Sequence, residues 1–414
     1  MAVAAVLGTL LIVASAQAQH AGHEGMSMPG SDDAAFVHLM AQAIPLVTRA
    51  DPTPGGAART EAALTQAILM ARAGWWRGRA ALDLTLDGEG VAMPGGELSL
   101  GAFGEGFADR RHPHTYLHEL VLTGIGHAGP MALSASVGRG FAPFGTDDPM
   151  VRAFVKYPVN HHLAQILERG LLMGAARTGP LAIEVGMFTG EEPQRPSSLP
   201  LLRRFGDSWS TRATFAPGSP VELQASVARL ASPEVPNGFG LDQRKQSASA
   251  RVGARDGFGY LLAEWARTVE RDHTKGEDAF AYETALVEGA VRVTTRGAPM
   301  LVALRLEQTG RPEEERLADP FHTARPATDL HIAGITRWRS ATLHVDAPAV
   351  TWSVLAGLPF LEISRLAAQV HDPLVLFSPE AFYGRSRFWM VTAGIRLRAG
   401  DAHGRMGRYG VARF

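Results

Sequence analysis

Residues Asp109 to Glu119 read Asp-Arg-Arg-His-Pro-His-Thr-Tyr-Leu-His-Glu, the densest concentration of imidazoles, carboxylates and guanidiniums in the chain. A second imidazole pair, His161-His162, follows. Neutral imidazoles and carboxylates are the donor set that zinc, copper or nickel accepts in a protein. His112, His114, His161, His162, Glu119 and Asp109 are therefore candidate metal ligands, with copper or zinc the ion they would suit and no cofactor strictly required. Arg110, Arg111 and His118 read as members of a surrounding hydrogen-bonded network. The same residues support a plainer reading, in which the cluster braces a loop and its arginines pair with its acids. A metal site would need its imidazoles oriented by outer-shell partners, which spacing does not show.

Weaker candidates lie near the start, where His20, His23, Met26 and Met28 offer imidazole and thioether groups to a copper ion. They occupy a short, polar, flexible leader, residues 19–34, and a leader of chance composition with no site is the equal alternative. Catalysis is not expected, because no G-x-S-x-G, H-E-x-x-H or phosphate-binding loop is present. An outer-membrane hydrolase stays a remote alternative.

Bulk properties narrow the class. The net charge is -1 and charged residues make up 20%, so nothing draws the chain to nucleic acid. There is no cysteine, which removes disulfides, thiolate metal sites and thiol nucleophiles and suits an oxidising compartment. The opening run MAVAAVLGTLLIVASAQAQ is apolar and ends in Ala16-Gln17-Ala18, which reads as a signal peptide over residues 1–18 cut after Ala18. No Lys or Arg precedes it, and a membrane anchor is the alternative. Beyond it no run of roughly 18 apolar residues offers a transmembrane helix.

The elements that must position the cluster are strands. Met131, Leu133, Ala135 and Val137 alternate with Ala132, Ser134, Ser136 and Gly138, and Val221, Leu223, Ala225 and Val227 alternate with Glu222, Gln224 and Ser226. Period-two alternation gives each strand one apolar and one polar face. Fifteen such segments are predicted: 60–73, 76–88, 115–126, 130–141, 163–177, 180–190, 207–217, 220–231, 244–255, 257–270, 279–294, 299–309, 328–345, 349–370 and 386–399. Many are long enough to cross a bilayer at a tilt. Their connections alternate short (as at Pro217–Pro220) and long (as at 89–114, 142–162 and 271–279), the plan of a barrel with tight periplasmic turns and larger outer loops. A closed barrel needs an even strand number, so residues 35–49, which a short helix would also suit, are assigned as a further strand. The expected fold is all-β: a transmembrane antiparallel barrel over residues 35–399 with about 16 strands, in a range of roughly 12 to 18. Its polar wall, rich in Arg, Glu, Gln and Ser, suggests a watery, partly plugged lumen. Leu304 is expected to face lipid and Ala303 the lumen. Residues 400–414 form a C-terminal tail whose last residue, Phe414, is of the aromatic type that barrel insertion machinery reads.

The segment DRRHPHTYLHEL at Asp109–Leu120 resembles an uncharacterised family of Gram-negative outer-membrane barrels with a D-R-Q-H-P-H-D-L-F-M-E-L type motif. The resemblance continues through NHHL at Asn160–Leu163, VGMFTGEEP at Val185–Pro193, DSWSTRATF at Asp207–Phe215 and LQASVARLASPE at Leu223–Glu234. Two of its departures from that motif matter: Thr115 stands for Asp and His118 for Met. The resemblance implies an outer-membrane location and associates such chains with copper or heavy-metal gene neighbourhoods. The function expected is a porin-like barrel in outer-membrane lipid that passes or binds small solutes or metal ions. A non-conducting metal-binding or envelope structural barrel is the alternative.

Overall fold

A computed structural model of the chain describes residues 35–53, 56–92, 114–146, 149–159, 163–193, 195–218, 220–253, 259–272, 274–295, 298–314, 332–371, 378–400 and 405–413. The expected signal peptide and leader, with His20, His23, Met26 and Met28, lie outside these residues. So do Asp109, Arg110, Arg111, His112, His161 and His162.

Sixteen long strands form one closed antiparallel barrel. They are β1 (Phe36–Asp51), β2 (Arg59–Trp75), β3 (Ala80–Asp87), β4 (Leu117–Ala128), β5 (Met131–Gly140), β6 (Arg169–Thr178), β7 (Leu181–Phe188), β8 (Ser208–Phe215), β9 (Val221–Leu230), β10 (Asp242–Gly253), β11 (Gly259–Asp272), β12 (Glu277–Thr295), β13 (Ala298–Glu314), β14 (Ile332–Asp346), β16 (Leu355–Val370) and β17 (Arg387–Gly400). The three-residue β15 (Val350–Trp352) folds back on the start of β16 at a hairpin tip. Each strand pairs with its sequence neighbour, and β1 closes the ring against β17, for example at Thr48 opposite Thr392. Closure leaves no open edge of unpaired backbone groups.

Residues 36–51 are strand and not helix, and their pairing on both sides is what completes the ring. The alternation explains which way each face turns. On β9, Val221, Leu223 and Val227 point outward and Gln224 and Ser226 inward. Leu304 is half exposed on the outer face, in a band with Val185, Val287, Leu306 and Leu343. Short connections such as 129–130 and 179–180 collect at one end, with the chain's entry to β1 and its exit from β17. The longer ones collect at the other end, although the connection after β11 is only residues 273–276, shorter than the sequence suggested. The strand expected at 163–177 begins at Arg169, because residues 163–168 turn into the barrel.

Candidate functional site

The lumen is filled by the chain itself. The connection between β5 and β6 folds inward, burying Phe141, Phe144, Met150, Phe154, Val155, Tyr157 and Val159. Irregular backbone buried in this way must find hydrogen-bond partners outside itself, and the barrel wall supplies them. The backbone N–H groups of Val155 and Lys156 donate to Glu362 at 2.9 and 3.1 Å, and that of Val159 donates to Glu307 at 3.1 Å. In the other direction Arg305 donates to the Lys156 carbonyl at 2.8 Å, Arg396 to that of Ala153 at 2.8 Å, and Arg212 to that of Gly145 at 3.2 Å. Gly145 has φ of +70°, and a β-carbon there would overlap the Ala164 carbonyl, so only glycine fits. Burial pushes the Lys156 ammonium down to about 7, with Glu362 and Glu61 pulling the other way.

After β17 the chain also turns inward. Residues 405–413 reach β8 and β9 through Arg408 and Arg405 and then form a short 3-10 turn, Gly410–Ala412, against β4 to β7, so they do not extend the last strand. Tyr409 is fully buried; its hydroxyl donates to Glu119 at 2.6 Å and accepts from the Phe141 N–H at 3.0 Å. Arg405 pairs with Glu222, Arg408 donates to Thr214 at 2.6 Å, and Arg413 donates to Asp83 at 2.8 Å. The Val411 N–H donates to Ser134 at 3.2 Å. Phe414 lies outside the described residues.

As a result much of the polar wall is buried. Glu184, Ser210, Glu288 and Thr309 are 0% exposed and Arg212 and Glu362 1%, where residues lining an open aqueous channel would stay accessible. Ala303 does face inward as expected, but it packs against Phe154 of the inward loop rather than water. The polar face that suggests a watery lumen in the sequence serves instead to hold an irregular loop and tail.

The histidine cluster sits under this loop, where β3 and β4 meet. The strand pair slips register between Thr85 and Leu86, leaving His118 as the extra residue of a bulge. A bulge turns successive side chains to one side, and His118 and Glu119 are accordingly both buried inside. His118 Nδ1 lies 2.6 Å from Glu168 Oε1, which also accepts from the Thr115 N–H at 2.8 Å. His114 Nδ1 lies 3.5 Å from both Asp87 Oδ2 and Glu89 Oε2. The second oxygen of each acid is held elsewhere. Asp87 Oδ1 accepts from the Glu89 N–H at 2.7 Å, and Glu89 Oε1 accepts from Thr65 at 2.6 Å and from the Gln66 N–H. The imidazoles lie 5.2 Å apart, with Tyr157 stacked on His114 and Phe141 edge-on to His118. Burial opposes charge on His114, but Asp87 and Glu89 outweigh it and hold its pKa well above the ordinary imidazole value. Burial likewise opposes charge on Glu168, but His118, His114 and Arg139 overcome it and hold its carboxyl down at about 2.

Of the residues singled out from the sequence, His114 and His118 are brought together. Glu119, beside them in sequence, is taken up by Thr85 at 2.7 Å and by Tyr409. Asp87, Glu89 and Glu168 come from positions outside the motif. The one trace they leave in the sequence is polarity at the ends of otherwise alternating segments.

No protein-family model matches the chain, and no curated protein matches it. Solved structures do. The fold is similar to that of a porin. An anion-selective porin from Comamonas acidovorans superposes with a TM-score of 0.53 at 11% identity, covering 89% of this chain and all of the porin. Pseudomonas putida OprB, in its high-pH structure, is 13% identical over 89% of this chain and 94% of its own, with a TM-score of 0.48. At 11% identity the likeness to the Comamonas porin is one of fold alone, and it matches the closed barrel described above.

Proposed function

We propose that this chain is a porin-like barrel of the Gram-negative outer membrane, holding its lumen closed from within and passing small solutes when the inner segments move. The outward apolar band, the closed ring and the tight turns gathered at one end support the membrane reading. The observation that carries the gated form of it is the β5–β6 loop, stretched across the interior and bonded to β9, β13, β16 and β17. The mature protein should fractionate with the outer membrane and show heat-modifiable gel mobility. In planar bilayers it should show rare, small openings, and a chain ending at Gly400 should open more often. Recovery as a soluble periplasmic protein would end this reading. Identical, steadily open conductance with and without the tail would end the gated form of it.

The second reading, a non-conducting binding or structural barrel, is favoured by the burial of the wall itself. Complete electrical silence of both chains in bilayers would select it.

A further inference from the structure

We infer that Asp87, His114 and His118 form a binding site for one borderline divalent transition ion, zinc or copper(II), inside the barrel at the β3–β4 rim. Three observations meet there. One carboxylate oxygen and one nitrogen from each imidazole lie within 4.8 Å of one another, a span a single ion would bridge. Every contributor is almost fully buried: Asp87 is 3% exposed, His114 2% and His118 0%. Among the described residues, His118 Nε2 is buried with no hydrogen-bond partner, a costly arrangement unless the cluster has a further occupant, and Asp87 Oδ2 and Glu89 Oε2 are held only by the long 3.5 Å approach of His114 Nδ1.

The outer shell has the form a metal centre needs. Glu168 holds His118 by Nδ1 and so presents Nε2; an acid fixing the far nitrogen is the usual partner of a metal-bound histidine. The Glu89 N–H and Thr65 pin one oxygen of Asp87 and Glu89 respectively, leaving the other directed at the cluster. Phe141 and Tyr157 cap the rings with apolar surface. Two imidazoles with carboxylate and no sulfur favour zinc or copper(II) over magnesium and calcium, which prefer all-oxygen shells. Glu89 Oε2, 3.5 Å from His114 Nδ1, is placed to add a further oxygen. The inference deepens the binding side of the proposed function. A barrel that conducts yet takes up no ion removes only the site, and one that takes up an ion yet never conducts removes only passage.

The test uses the full mature chain, refolded in detergent and stripped with chelator. His20, His23, Met26 and Met28 are replaced by Ala so that the leader adds no stoichiometry. Isothermal titration with zinc and with copper(II) should give one ion per barrel, and magnesium and calcium should give none. His118→Gln and Asp87→Asn should each weaken binding by more than tenfold. Glu168→Gln, which leaves the ligands in place, should weaken it about 10- to 100-fold. Heat-modifiable mobility reports whether each variant folds. If a ligand variant does not fold, the copper(II) spectrum of the parent chain decides, since it should show coupling to two imidazole nitrogens. No stoichiometric uptake, uptake indifferent to His118→Gln in a folded barrel, or a spectrum without imidazole coupling would each overturn the site.

Discussion

Arg212 touches all three parts of the interior, and its removal asks whether that interior is dry. Its guanidinium grips wall residue Glu184 with two bonds, at 2.6 and 2.7 Å. It also donates to the loop at Gly145 and, at 2.8 Å, to the tail at Gly407. Arg212 is 1% exposed and Glu184 0%, so solvent screening gives no relief. Arg212→Met keeps the volume and removes the charge. Breaking a buried pair from one side typically costs about 3–5 kcal/mol, because the remaining ion stays buried. Here Arg408 stays 3.7 Å from Glu184 and compensates in part, so about 3 kcal/mol, the lower end of that range, is expected. The double change Arg212→Met with Glu184→Leu removes both ions. It should cost less than the sum of the single changes by about 2 kcal/mol or more, as coupled neighbours do. Urea unfolding of the chain in lipid vesicles, followed by tryptophan fluorescence, measures all three variants. A loss below about 1 kcal/mol for Arg212→Met, with additive effects, is what a solvent-screened pair in an open channel would give. That result would refute the filled interior.

Further outcomes follow from the same geometry. Leu304→Arg, on the outer face, should cost about 2–4 kcal/mol in vesicles. Ala303→Arg should be destabilising too, because it meets Phe154 and not water; a neutral effect would show the loop to be absent from that wall. Tyr409→Phe should cost about 1–3 kcal/mol by leaving Glu119 short of a buried donor, as read by the urea midpoint, and an unchanged midpoint would place the tail elsewhere. Lys156 gives a pH dependence with a definite sign. Its folded pKa, about 7, lies below its ordinary 10.5, so the cost of its burial is fully present below pH 7. Stability rises as pH climbs from there toward 10.5, where the unfolded chain still binds the proton. Channel openings should therefore be more frequent at pH 6 than at pH 9, and Lys156→Met should abolish the difference; a pH response that survives the substitution would assign it to other groups.

The barrel was legible because its signal is local. Period-two alternation puts Val221, Leu223 and Val227 outside and Gln224 and Ser226 inside whatever the neighbours are, and tight turns show themselves through Gly and Pro. The evenness argument that made residues 35–49 a strand is equally general. The site was legible only in part, since three of its features are not local. The bulge that turns both His118 and Glu119 inward depends on the register with β3. Glu168 reaches His118 from the far end of the inward loop, while Asp87 at the end of β3 and Glu89 in the short helical turn after it reach His114. No spacing within Asp109–Glu119 encodes those three acids.

The same limit explains how a polar wall suggested water. A strand face of Arg, Glu and Ser has the same composition whether it lines a channel or holds a peptide. The difference lies in what must be satisfied. The connection between β5 and β6 carries Phe141, Phe144, Met150, Phe154, Val155, Tyr157 and Val159, which gain by leaving water. Pro143, Pro149 and Pro158 along it interrupt regular structure, so several of its buried N–H and carbonyl groups find no partner within the loop. Glu307 and Glu362 answer the N–H groups, and Arg212, Arg305 and Arg396 answer the carbonyls. The three arginines are in turn offset by acids: Arg212 by Glu184, Arg305 by Glu288 at 2.7 Å and Arg396 by Asp346. The wall thus treats the loop backbone as its ligand. On the gated reading proposed above, a solute that opened the path would compete with those backbone groups, and so would itself present hydrogen-bond donors and acceptors close together.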